Sequence, residues 1–208
     1  MKILLLIFLV LMILISGCTK FKTPDNIEVL SLPVNKEDIS FRYNGIWPYG
    51  VQGGDHPHGH PGIDFESDSG KPIIAVDDGT ITVFQTNIGK YGEDTMSFIS
   101  DSLGDGYEIY YTGSMKDFQV QENSRVKRGD VLAYFRPWIE ANGVVLESGY
   151  IHFEVHTRNI GRGGSNCPYN FMTNESKREL KEIFTQSTYQ KKDQFPLICN
   201  PCPEGGCY

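Results

Sequence analysis

The chain is 208 residues long, with 26 Asp and Glu against 19 Lys and Arg and a formal net charge of −7. This acidic balance excludes the basic footprint of a nucleic-acid binder and makes anionic lipids or polymers poor electrostatic partners. The length supports one sizeable core, and the sequence shows neither an internal repeat nor a nucleotide-binding glycine loop.

Met1-Lys2 is a short positive start, and residues 3–15 form an unbroken apolar run. The run is too short and wrongly flanked for an ordinary membrane-spanning helix. It ends in Ile15-Ser16-Gly17-Cys18, which is similar to a bacterial lipobox. That similarity implies a lipoprotein signal peptide over 1–17 and lipid on Cys18 as the new N-terminus. An ordinary secretory signal or a retained anchor is the plainer reading, and all of these export the rest of the chain. The expected location is outside the cytoplasm, anchored to a membrane by the Cys18 lipid. Removing residues 1–17 takes away Lys2 and no acid, which leaves a formal charge of −8.

Residues 18–40 are polar, with Pro24 and Pro33, and read as a tether that holds a short strand near 27–32. Residues 41–50 are aromatic and turn-rich, suited either to packing or to a wall of a substrate groove. The stretch His56-Pro57-His58-Gly59-His60-Pro61-Gly62-Ile63-Asp64-Phe65 follows. Its prolines and glycines block a helix. Its histidines and Asp64, with Asp55 just before, are good ligands for a divalent ion such as zinc, although a solvated His-rich loop has the same composition.

From here the pattern is all-β. Strands are predicted at 62–65, 73–76, 79–85, 95–100, 107–112, 131–135 and 149–157, with Asp78-Gly79 as a hairpin turn between the second and third. Short strands with a turn every ten residues or so indicate a compact antiparallel sandwich or barrel. In the last strand, period two puts Tyr150, His152, Glu154 and His156 on one face and Ile151, Phe153 and Val155 on the other. The apolar face goes to the core. The polar row must meet solvent, a partner or a metal, because burying it unpaired costs several kcal/mol.

The β domain is placed at 41–172, and 173–208 is expected to form a helix and a Cys-rich tail. Residues 174–184 have helical character, with Asn174 as the expected cap and too little apolar content for more than a surface position. Cys167, Cys199, Cys202 and Cys207 make an even number in an exported chain, which favours two disulfides over a second metal site. Three pairings are possible and the spacing does not choose among them.

Taken together, these stretches resemble the lysostaphin/LytM-type zinc endopeptidases, which cut peptide bridges of peptidoglycan. His60-Pro61-Gly62-Ile63-Asp64 fits H-x-G-x-D, and the segment from Gly70 to Gly79 fits G-x-P-V-x-A-x-x-x-G with Ile73 for Val. Val126-Lys127-Arg128-Gly129-Asp130-Val131-Leu132 fits V-x-x-G-D-x-I/L, and His152-Phe153-Glu154-Val155 fits the end of H-x-H-F-E-V. The resemblance covers about 43–171. It implies the duplicated hybrid motif fold, with His60, Asp64 and His152 as zinc ligands and a water at an open metal position.

The sequence departs from the family at two places. The family has a histidine two residues before the last ligand and another in a Y-x-H-L context. Here those positions hold Tyr150 and, in Tyr110-Tyr111-Thr112-Gly113, Thr112. A tyrosine can donate a hydrogen bond to an oxyanion but is a poor base at neutral pH, with an unperturbed pKa near ~10. His156 stands about 13 Å along the strand from His152; His56 or His58 could reach in from the loop. Two functions follow. One is a zinc metallopeptidase acting on peptidoglycan cross-link peptides, with Tyr150 and Thr112 at the catalytic positions. The other is a catalytically degenerate, zinc-retaining module that binds cell wall or regulates a partner hydrolase.

Overall fold

Segments with Val, Ile, Phe and Tyr at every second position form strands because such side chains fill one buried face of a pleated sheet. In the computed structural model the described residues are 27–53, 56–88, 92–139, 143–158, 164–189 and 191–202. The strands are β1 (Ile46–Trp47), β2 (Ile63–Asp68), β3 (Pro72–Ile74), β4 (Gly79–Ile88), β5 (Glu93–Ser100), β6 (Tyr107–Gly113), β7 (Met115–Lys116), β8 (Arg125–Val126), β9 (Val131–Phe135), β10 (Ser148–Thr157) and β11 (Ser165–Asn166). All seven predicted strands are present, with small changes at their ends. The four additional ones, β1, β7, β8 and β11, have two residues each, too few to show a period.

The named strands all pair antiparallel. The large sheet has the order β1-β2-β10-β6-β5-β4-β8, with β11 on β10, and the small sheet has the order β3-β9-β7. The all-β class expected from the alternation is therefore the observed one. Ile63, Phe65, Met96, Phe98, Ile109, Tyr111, Ile151, Phe153 and Val155 of the large sheet are fully buried with Leu132, Ala133 and Phe135 of β9. Phe153 packs edge-on between Phe65 and Tyr111, with ring centroids at 6.5 and 5.3 Å. Each such side chain contributes roughly 1.5–3 kcal/mol of burial.

Four expectations are corrected. Asp78-Gly79 does not turn a hairpin, because β3 and β4 belong to different sheets. The chain crosses between them there, pinned by Asp77, which accepts from Ser100 Oγ and Arg128 Nη2 at 2.6 Å each. Gly79 is needed for closeness, since a Cβ would lie 2.1 Å from the Ile99 carbonyl oxygen. Residues 27–32 form no strand but a single bridge, Leu30 to Met172. Residues 27–40, expected as tether, supply Leu30, Leu32, Val34 and Ile39 to the core. Helix α1 (Asn174–Gln186) is capped by Thr173, whose side chain accepts from Ser176 N, and Asn174 is its first residue. Its Ser176, Leu180 and Ile183 are buried at helical spacing, so it fastens to the domain by a narrow apolar stripe.

Cys167 and Cys199 form a disulfide. Cys202 is also disulfide-bonded. Residues 1–17, Cys18, Asp55 and Cys207 lie outside the described residues. Among the described residues no helix is long and apolar enough to cross a membrane.

Candidate metal centre

Strand register assembles the site. Asp64 of β2 is paired with His152 of β10, His152 with Thr112 of β6, and Thr112 with Thr95 of β5. Trp47 of β1 extends the row past Asp64. Since the neighbours Ile63, Phe65, Ile151 and Phe153 point to the core, strand alternation turns Asp64 and His152 to the opposite, open face.

His60 comes from the turn before β2. Its backbone is clamped on both sides, with Gly50 N donating to His60 O at 2.8 Å and His60 N to Val51 O at 3.0 Å. The Pro and Gly residues of this segment allow the chain to run close to β10. At Gly62 a Cβ would lie 2.6 Å from the Phe153 carbonyl oxygen and 2.8 Å from His152 Cε1. Glycine is therefore required between the two ligand positions His60 and Asp64.

The three expected ligand residues converge. Their ligand atoms all lie within 4.8 Å of one another. His60 Nε2 is 2.8 Å from His152 Nδ1 and 3.1 Å from Asp64 Oδ1, and His152 Nδ1 is 2.6 Å from Asp64 Oδ1. The outer nitrogens decide the tautomers. His60 Nδ1 faces the Pro48 carbonyl at 3.0 Å, and a carbonyl only accepts, so this nitrogen carries the proton and Nε2 presents its lone pair. His152 Nε2 donates to Glu154 Oε1 at 2.5 Å, which turns Nδ1 inward. The other oxygen of Glu154 accepts from His156 Nε2.

The inner atoms are thus two imidazole nitrogens and a carboxylate oxygen, and only a positive charge among them satisfies all three. Burial opposes charge on His152, but Asp64 and Glu154 on either side outweigh it and push its pKa up to about 10. Burial likewise opposes charge on Asp64, and its close contacts with His60 and His152 hold its pKa well below the usual carboxylate range. A site that draws a proton so strongly suits a divalent cation, whose binding displaces that proton. Two nitrogens and one oxygen, each histidine oriented from its far side, form a donor set that fits zinc.

The site opens into a cleft of about 440 Å³, lined among others by Trp47, His56, Asp64, Glu93, Thr112, Trp138, Tyr150 and His152. Residues 41–50 serve in both expected ways, since Tyr43 and Trp47 line the cleft while Ile46 is buried. Glu66 holds this segment in place by accepting from Asn44 N, Gly45 N and Ser148 Oγ at 2.8–3.0 Å. Thr112 and Tyr150 are both in the cleft, and Thr112 shares a hydrogen bond with Thr95 at 3.1 Å between their hydroxyls. His56 reaches the site, its ring 5.0 Å from that of His60 and stacked on His152 at 6.1 Å. His58 is exposed and does not line the cleft. His156 meets Glu154 and Tyr110 rather than the ligand atoms.

Sequence reasoning missed Glu93, the Pro48 carbonyl and the orienting role of Glu154. Glu154 was visible as the next residue on the polar face of the strand. Glu93 and Pro48 had no local signal, being brought to the site by strands and turns far along the chain.

The family model of peptidase family M23 matches residues 58–163, just over half of the chain. The chain belongs to peptidase family M23. Among solved structures it is similar to the catalytic domain of the antimicrobial peptidase lysostaphin from Staphylococcus simulans, with 17% identity over 66% of this chain and 97% of that one, TM-score 0.49. It is also similar to LytU, with 23% identity over 73% of this chain and 92% of that one, TM-score 0.48. A zinc-containing peptidase from Vibrio cholerae shares 22% identity over 62% of this chain and 38% of that one, TM-score 0.42. The family assignment rests on the family match and not on these three. No curated protein matches the chain.

Proposed function

We propose that this protein is a zinc metalloendopeptidase that acts on peptidoglycan cross-link peptides, exported and lipid-anchored to a membrane through Cys18. The observation that carries the reading is the convergence of His60 Nε2, Asp64 Oδ1 and His152 Nδ1 beside an open cleft that Asp64 and His152 line. Membership of a zinc-dependent peptidase family supports the choice of metal. His60, Asp64 and His152 would hold the ion. When bound, zinc supplies Lewis acidity to the nucleophilic water and to the scissile carbonyl. The protein holds the two imidazoles in one orientation through Pro48 and Glu154, so little reorganisation is needed on binding. The cleft walls Trp47, Tyr43 and Trp138 offer flat apolar surfaces along which an extended peptide can lie.

A second reading is a zinc-retaining module that binds cell wall or a partner hydrolase without cutting. It is favoured by Thr112 and Tyr150, which stand where the resemblance to the family pattern places two histidines. Full-length protein loaded with zinc, incubated with purified peptidoglycan, separates the two. Release of soluble peptides that stops on chelation supports the peptidase. Retention on the polymer with no release supports the binding module.

A further inference from the structure

We propose that Glu93 and Tyr150 are the proton-handling pair of this site, with Glu93 as general base and Tyr150 as the donor to the developing oxyanion. The proposal rests on the peptidase reading above. Tyr150 precedes His152 by two residues on the cleft face of β10, and its hydroxyl donates to Glu93 Oε1. Glu93 opens β5, two strands away across β6, yet both residues line the cleft that holds Asp64 and His152.

The pair is braced from several sides. Asp94 accepts from Asn87 N at 3.0 Å and lies 3.5 Å from Arg136 Nε. Arg136 Nη2 donates to the Gly92 carbonyl, so the residues on both sides of Glu93 are held. Trp138 packs edge-on against the Tyr150 ring at 4.8 Å. Thr112 offers only a hydroxyl, which is already paired with Thr95.

The two groups divide the chemistry that peptide hydrolysis requires. A carboxylate accepts a proton and a phenol donates a hydrogen bond, and neither does the other's task well near neutral pH. Water attacks the carbonyl carbon and passes one proton to the Glu93 carboxylate. The Tyr150 hydroxyl gives up its hydrogen bond to Glu93, which has just been protonated, and donates its single O–H to the carbonyl oxygen as it becomes negative. The C–N bond then breaks and Glu93 returns its proton to the departing nitrogen. The products are an amine and a carboxylic acid that retains the water oxygen and loses its last proton to solvent. Glu93 ends as it began.

His56 is the competing base, and the test separates the two. Full-length wild type, Glu93→Gln, Glu93→Asp, Tyr150→Phe and His56→Ala would be compared for peptidoglycan cleavage, zinc per chain and affinity for a cross-link peptide bearing a phosphinate in place of the scissile amide. Glu93→Gln should lower kcat by ~10²–10⁴-fold with zinc content and KM near wild type. Glu93→Asp, which keeps the charge on a shorter stem, should retain more activity. Tyr150→Phe should lower kcat by ~10²–10³-fold and weaken the tetrahedral phosphinate while sparing the substrate. A folded, zinc-replete Glu93→Gln protein with wild-type kcat overturns this inference and leaves the peptidase reading intact. So does loss of kcat confined to His56→Ala, which would move the base to His56. A wild type that holds zinc and cleaves nothing overturns the peptidase reading, and the pair with it.

Discussion

Glu154 is the residue whose replacement tests most directly how the metal centre is built. It binds no metal in the reading above, yet its carboxylate takes His152 Nε2 on one oxygen and His156 Nε2 on the other. Glu154→Ala removes the acceptor that fixes the His152 tautomer and also a negative charge beside the imidazole. Loss of such an outer partner costs about 10–100-fold in metal affinity. That corresponds to about 1.4–2.8 kcal/mol at about 1.4 kcal/mol per decade. Glu154→Gln keeps an acceptor oxygen and loses only the charge, so it should fall between wild type and Glu154→Ala. His156→Ala touches only the outer oxygen and should weaken zinc by less than about tenfold. The assay is a competition titration of metal-free protein against a chromophoric chelator, with circular dichroism to confirm folding. A folded Glu154→Ala protein that binds zinc as tightly as wild type would refute the role assigned to this carboxylate.

Four further outcomes are expected. His60→Ala, Asp64→Ala and His152→Ala should each carry well below one zinc per chain by elemental analysis, and full occupancy in any of them removes that residue from the ligand set. Cys18→Ser should stay unprocessed or lose membrane attachment, and mass spectrometry that finds an intact, unmodified N-terminus in wild type sinks the lipid anchor. Breaking Cys167–Cys199, which spans 32 residues, should destabilise the protein by about 3–4 kcal/mol through chain entropy, read as a shift of the denaturation midpoint. Burial alone would raise the Asp77 pKa, but hydrogen bonds from Ser100, Ser102 and Arg128 overcome it and hold the folded value below 3.8. The stability that this lowered pKa contributes is present above the unfolded value and is lost as pH falls through the folded one. Asp77→Asn should therefore cost about 1–3 kcal/mol at neutral pH, with the gap to wild type narrowing below pH ~4; an equal gap at all pH values would show that charge plays no part.

The sequence by itself determined the strands and the identity of the convergent side chains. Alternation is a local property, and a run such as Tyr150-Ile151-His152-Phe153-Glu154-Val155-His156 carries its own assignment of buried and open faces. The spacing in His60-Pro61-Gly62-Ile63-Asp64 was legible for the same reason, since the turn, the glycine and the strand start are all local. The tertiary structure alone decided which strands are partners. Asp78-Gly79 has the composition of a hairpin turn, but β3 pairs with β9 and β4 with β5, because pairing is settled by what each strand buries against. The helix lies on the surface as its thin apolar content implied, but where it docks was decided by the core, which offers a face matching Leu180 and Ile183 of α1. The same holds for the site. Asp64 meets His152 across 88 residues, Tyr150 meets Glu93 across 57, and the orienting acceptor of His60 is a backbone carbonyl with no side-chain signature. Contacts of that kind depend on register between strands far apart in the chain, and no periodicity within one segment encodes them.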